Sequence, residues 1–130
     1  EAIYSGKDIC PTGWRLPTQA DWDALTTYAA EQFPDDATSL LSNIFPWETV
    51  AETVTNATGY GAIPGGKLVW NTALATDEEG AVTFTEMHNT GNFWILDGGQ
   101  IPTAFSFPSG TAIVGETAPL SNGYSVRCIK

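Results

Sequence analysis

Cys10-Pro11-Thr12-Gly13-Trp14-Arg15-Leu16-Pro17-Thr18 is the stretch whose reading decides the fold. Pro11 and Gly13 punctuate a turn, and Pro17 biases Leu16 toward an extended backbone and away from helix. The chain changes direction here. Thr18 is a good N-cap whose hydroxyl accepts from a backbone N–H of the first turn, and Asp21 sets a carboxylate against the positive end of the helix. A helix is expected from Thr18 to about Gln32, with Trp22, Leu25, Ala29 and Phe33 forming one apolar stripe and Asp21, Asp23 and Glu31 largely off it. Trp14 and Trp22 flank the capped start, and both are expected in the core.

The other cysteine is Cys128, two residues from the end of the sequence. Two cysteines admit two free thiols or one bridge. Cys10 precedes the first helix and Cys128 lies in a terminal segment, and a compact domain tends to bring its termini together, so the reading is a disulfide. Closing so long a loop is worth about 4.7 kcal/mol in the chain-entropy model. It also implies an oxidising compartment.

Composition limits the rest. The 130 residues, 42% hydrophobic, make one domain spanning 1–130 that can bury a core without a metal. Fifteen acidic residues against five basic ones give a net charge of −10, which repels phosphate backbones and anionic headgroups, so nucleic acid is excluded as a partner. No apolar run approaches the roughly 18 residues of a membrane span, and Glu1 does not open a signal peptide, so any targeting segment is expected outside this sequence. Five Trp, four Tyr and six Phe beside 13 Gly describe a loop-rich fold held by aromatic packing.

Along the chain, Ile3 and Tyr4 read as a short strand paired with the C-terminal one. Thr38 to Phe45 reads as a second helix with Leu40, Leu41 and Ile44 inward, stopped by Pro46. Trp47 to Thr58 mixes helical spacing of Val50 and Val54 with four β-branched threonines, and reads as irregular. Gly59 to Gly66 is a tight loop and not a phosphate cradle, because no Lys-Ser/Thr follows it. Lys67 to Ala75 and Ala81 to Met87 are strands joined by the turn Asp77-Glu78-Glu79-Gly80, with Val82 and Phe84 on a half-buried face. Asn92 to Leu96, Ala104 to Phe107, Thr111 to Val114 and Tyr124 to Ile129 complete an antiparallel arrangement, with Trp94, Phe105 and Phe107 inward. Tyr124, Val126 and Cys128 share one face of the last strand, which places the disulfide under the sheet.

No catalytic arrangement emerges. His88 is the single histidine, and no Gly-x-Ser-x-Gly elbow accompanies it. Asp77-Glu78-Glu79 lacks the spacing of a calcium loop, and a zinc site is short of ligands. The expectation is a protein that is not an enzyme and carries no metal or cofactor.

Cys10-Pro-Thr-Gly-Trp-Arg-Leu-Pro-Thr-Gln-Ala-Asp-Trp, Gly59-Tyr-Gly-Ala-Ile-Pro-Gly-Gly, Asn92-Phe-Trp and Asn122-Gly-Tyr-Ser-Val-Arg-Cys128 follow one another in an order that resembles the Fibrobacter succinogenes major paralogous domain. Two departures stand out. The family's usual segment upstream of the Cys-Pro turn is largely missing, and Ile95-Leu96-Asp97 stands where Ser-Ser-Thr is usual. The resemblance implies an α+β domain of the C-type lectin-like fold, similar to the formylglycine-generating-enzyme branch. Two helices would pack on small twisted antiparallel sheets, with paired termini and a loop-rich binding face. It also implies a secreted or surface protein of Bacteroidetes and their relatives. The oxidising chemistry of the enzyme branch needs a cysteine pair in its cleft, and Cys10 and Cys128 read as structural instead. The variable proteins of diversity-generating retroelements are similar too, which would place the chain on a phage particle or surface as a hypervariable receptor-binding protein.

The function expected is ligand binding, with a protein or carbohydrate ligand at a cell surface, against the alternative of a structural display domain with no ligand of its own. Calcium-dependent lectin motifs are echoed only by Trp70-Asn71. Candidate ligand-binding residues are Trp70, Asn71, His88, Asn89, Asn92 and Phe93, because loops on a rigid sheet can present aromatics beside amides.

Overall fold

The first helix begins on a carboxylate that does three things at once. Asp21 accepts a two-pronged contact from the Arg15 guanidinium, at 2.6 and 2.9 Å, and a 2.7 Å hydrogen bond from the backbone N–H of Thr18. Thr18 in turn accepts from the Asp21 backbone N–H, so both halves of a capping box are present. Helix α1 then runs Gln19–Gln32 and closes on Phe33, whose N–H reaches the Ala29 carbonyl at 2.9 Å. The Arg15 fork and the Thr18 N–H hold the Asp21 carboxyl well below the usual carboxylate range.

A computed structural model describes residues 9–70, 82–96, 103–114 and 121–130. The described elements after α1 are five strands: β1 (Lys67–Trp70), β2 (Val82–Thr85), β3 (Gly91–Ile95), β4 (Thr103–Phe107) and β5 (Thr111–Val114). They form two antiparallel sheets, β1-β2 and β3-β4-β5, beside the helix, an α+β arrangement. The strand expected at Ile3 and Tyr4, the turn at Asp77 to Gly80, and the extension of β1 past Trp70 lie outside the described residues.

The three-stranded sheet is covered on both faces at β3 and almost throughout β4, and β3 is buried at all five positions. Phe93 pairs with Phe105 and Gly91 with Phe107, so the three rings project to one side, where they meet Trp22. The Trp22 indole lies parallel to Phe105 with centroids 4.6 Å apart, while Phe93, Phe107 and Tyr60 surround it at 5.8 to 6.0 Å. Trp94 and Ala104, paired with each other, project to the opposite side and pack with Cys10, Leu16 and Tyr124. The disulfide Cys10–Cys128, with Cα atoms 5.8 Å apart, closes that second layer.

Four expectations from the sequence are corrected. Thr38 to Phe45 is a series of turns and not a helix, because its backbone bonds outward: Ser42 N–H to Ala62 O and Ala62 N–H to Leu40 O, both 2.8 Å. Leu40 and Leu41 are buried there as expected, but Ile44 is exposed. The segment Tyr124 to Ile129 makes isolated bridges in place of a ladder, Ser125 with Phe93 and Ile129 with Arg15, since each stretch of it meets a different neighbour. Val126 on that segment is exposed. Trp14 is 43% exposed, whereas Trp22 is 2% exposed. Gly13 adopts a left-handed conformation, and the turn it makes leaves the Trp14 ring outside the core. The fourth correction, the bare face of Val82 and Phe84, belongs with the site below.

Trp22→Ala should cost about 3 to 5 kcal/mol in urea unfolding, and Trp14→Ala far less. Equal losses would contradict the burial difference.

Acid should also unfold this protein through identifiable groups. Asp36, hydrogen-bonded by Thr55 and Thr38, is depressed like Asp21. A depressed carboxyl contributes stability that is complete above its unfolded value of about 3.9 and is lost as pH falls through the folded value. Stability should therefore drop steadily below about pH 4. In Asp21→Asn that acid limb should be shallower, and stability at neutral pH lower.

Candidate functional site

The strands β1 and β2 pair so that Leu68 faces Phe84 and Trp70 faces Val82, and alternation puts these four side chains on one side of the sheet. Nothing among the described residues covers that side. Phe84 is 70% exposed, and Trp70 and Val82 are about 40% exposed. Alternation correctly grouped Val82 with Phe84, but it cannot say which layer lies over a face. Among the described residues, Trp70, Val82 and Phe84 on this face are left to solvent.

A groove of about 280 Å³ runs beside it, lined by Gly65, Lys67, Leu68, Phe84, Gly123 and Tyr124. Its base is rigid. Leu68 and Gly123 exchange backbone hydrogen bonds of 2.8 Å in both directions, and a side chain at Gly123 would press on Leu68. Lys67 is held by Glu86 at 2.5 Å, so the groove's cation is neutralised in place.

The turn after β2 anchors the assembly to the core. Glu86 and His88 both take left-handed backbone conformations, which for non-glycine residues persist only where the surroundings impose them. They are imposed here by a set of cross-links: His88 N–H to Pro64 O at 2.9 Å, Glu48 N–H to His88 O at 2.8 Å, and Thr49 Oγ1 to Asn89 O at 2.9 Å. The Asn92 amide, buried at 2% exposure, donates to Gly66 O at 3.2 Å and Thr90 Oγ1 at 2.9 Å.

The six sequence-derived candidates therefore separate. Trp70 stands exposed on the bare face, and Asn71 lies outside the described residues. His88 and Asn89 sit half-buried on the turn that the Asn92 amide braces, at the Lys67 end of β1 and so away from Trp70. Asn92 and Phe93 are core residues, one a polar clamp and the other a ring against Trp22. Phe84 and Met87 are exposed and were not among the candidates. Their signal was a β-forming strand next to a charged turn, with no apolar segment nearby to cover it.

The Nδ1 atom of His88 is buried without a hydrogen-bond partner, so no carboxylate orients it as a base. Among the described residues no group of three or more His, Cys, Asp or Glu is placed to hold a metal ion. No helix among them is long and apolar enough to cross a membrane.

In comparison with known proteins, the family model described as the Fibrobacter succinogenes major domain matches residues 1–130. No curated protein and no solved structure matches the chain.

Gly66 is where the groove and the turn press on one another. Its backbone is left-handed, and a Cβ there would fall 2.6 Å from Met87 N, against backbone that cannot give way. Gly66→Ala should cost well over about 1 kcal/mol. Gly59→Ala, equally left-handed but with open space around it, should lose only the conformational part, about 1 kcal/mol. Denaturant melts of the two variants separate the terms.

Proposed function

This chain belongs to the Fibrobacter succinogenes major domain family, and from that membership we propose that it is a non-catalytic ligand-binding domain acting outside the cytoplasm, with a C-type lectin-like fold and a protein or carbohydrate ligand. The observation that carries this reading is the bare face of Trp70, Val82 and Phe84, mounted on a rigid sheet and bordered by a groove. An aromatic on a solvated strand gives up transfer free energy in the free protein, and contiguous exposed apolar groups of this kind mark interaction surfaces. Rings also stack on sugar faces and fill pockets on protein partners, and aromatic residues dominate such contacts energetically.

The fold supports the same reading. The α+β arrangement and the Cys10–Cys128 bridge are what support it, with one helix among the described residues where the C-type lectin-like resemblance implies two. The disulfide supports an oxidising compartment, as on a bacterial surface or in the medium. The net charge of −10 keeps the domain soluble and apart from its copies while leaving an apolar face free for a ligand.

The experiment is a glycan and surface-protein array followed by substitution. With a ligand in hand, Trp70→Ala and Phe84→Ala should each weaken binding by about tenfold or more and leave stability within about 0.5 kcal/mol of the parent. Asn92→Ala and Phe93→Ala should lose stability first. Full affinity in both face variants would move the site elsewhere, and an array with no binder would favour a display role.

A further inference from the structure

A second concavity lies on a different part of the domain and shares no lining residue with the β1–β2 groove. It is a cleft of about 290 Å³ between α1 and the C-terminal segment, lined by Pro17, Trp22, Leu25, Tyr60, Arg127 and Ile129. Its volume is at the lower edge of the roughly 300–1,000 Å³ of small-molecule sites, which suits a single ring or a short branched chain.

The walls are mostly apolar, but three polar groups interrupt them. Arg127 holds its guanidinium carbon 4.0 Å from the centre of the Tyr60 ring, a cation over an aromatic face. A guanidinium so placed keeps further N–H donors, of the five it carries, to offer a ligand. No carboxylate among the described residues pairs with Arg127: Asp21, which also lines the cleft, is already committed to Arg15 and Thr18. The other two groups are Trp22 Nε1, on a residue 2% exposed, and the Tyr60 hydroxyl, and both are buried without a hydrogen-bond partner. Burial pushes the Tyr60 phenol up to about 12 against the pull of Arg127, so it remains protonated and able to donate. The two rings meet edge to face, with centroids 6.0 Å apart, and both residues line the cleft.

A site offering donors and no free acceptor, with one unpaired cation and apolar walls, selects a particular ligand chemistry. We propose that this cleft binds a small organic carboxylate with an apolar or aromatic body, the carboxylate on the edge of Arg127 and the body against Leu25, Ile129 and Pro17. A phosphate or other dianion is disfavoured, because a single arginine must hold it inside a protein of net charge −10. A sugar is disfavoured by the scarcity of acceptors on the walls.

The test is an NMR titration of the folded, oxidised protein that follows the Trp22 Nε1–H resonance. The probes are 3-phenylpropanoate and its uncharged amide, 3-phenylpropanamide. The carboxylate should shift the Trp22 resonance saturably in the millimolar range expected for a ligand of this size, and the amide should bind at least tenfold more weakly. Arg127→Gln should weaken the carboxylate by about tenfold or more with the melting temperature unchanged, and Arg127→Lys should restore part of the affinity. No saturable shift, equal binding of acid and amide, or unaltered affinity in Arg127→Gln would each overturn the assignment. So would a response confined to Trp70, which would report the β1–β2 face instead.

Discussion

The parallel contact of Trp22 with Phe105, centroids 4.6 Å apart, is the interaction on which the other packing depends. It is the point where the helix touches the sheet. Six other aromatic contacts in this cluster accompany it, because Phe93, Phe107 and Tyr60 all take positions around the indole. A stack needs its partners set at a fixed height and angle, and the helix start supplies both. Arg15 and Thr18 fasten Asp21 from two sides, so Trp22, the next residue, enters the core from a helix that can neither slide nor rotate. The residues that make the N-terminal motif distinctive thus act through one neighbour that is buried.

The sheet behind the stack has an uncommon second side. Where many small antiparallel sheets leave one face to water, β3 is covered on both, and the cover on the far side is made of irregular chain: the Cys-Pro turn, Leu16 and the segment carrying Tyr124 and Cys128. That segment lends one or two hydrogen bonds to each of β1, β3 and the strand-like piece at Arg15. Because it is shared among three neighbours it forms no ladder of its own, and the disulfide holds it where a ladder would have done so in a larger sheet. The domain therefore spends its regular structure on one layer and its covalent bond on the other.

How much of this was legible in the sequence depended on whether a local signal decided the matter. Thr18 and Asp21 cap a helix by chemistry that acts within four residues, so the bounds of α1 could be read directly. The strand at Thr111 to Val114, bounded by turn residues, and the inward pair Phe105 and Phe107 were equally local. Thr38 to Phe45 carries apolar spacing fit for a helix, yet its N–H and C=O groups bond to residues near Thr58 and Ala62, a choice made by a loop about twenty residues away. The places of the candidate residues turn on distant contacts: Asn92 resembles an exposed amide until Gly66 and Thr90 are seen to use it, and Phe84 resembles a core ring but is exposed among the described residues. The cleft at Arg127 and Tyr60 was beyond sequence reading, since its two halves are 67 positions apart in the chain and no spacing rule connects them.

The parallel bridge between Phe93 and Ser125, with the antiparallel one between Arg15 and Ile129, has a consequence for the order of assembly. The strand β3 completes its hydrogen bonding on the side away from β4 with residues near Ser125, and the turn before the helix bonds likewise to Ile129. Contacts this remote raise the contact order and slow the search for the native topology. While the chain is being made, the helix and the β3-β4 pair can form as soon as they emerge, but the layer over Trp94 has to wait for Tyr124 and Cys128. Until then the face over Trp94 lacks those residues, and Cys10 has no partner for its bridge, since Cys128 lies 118 positions on in the chain.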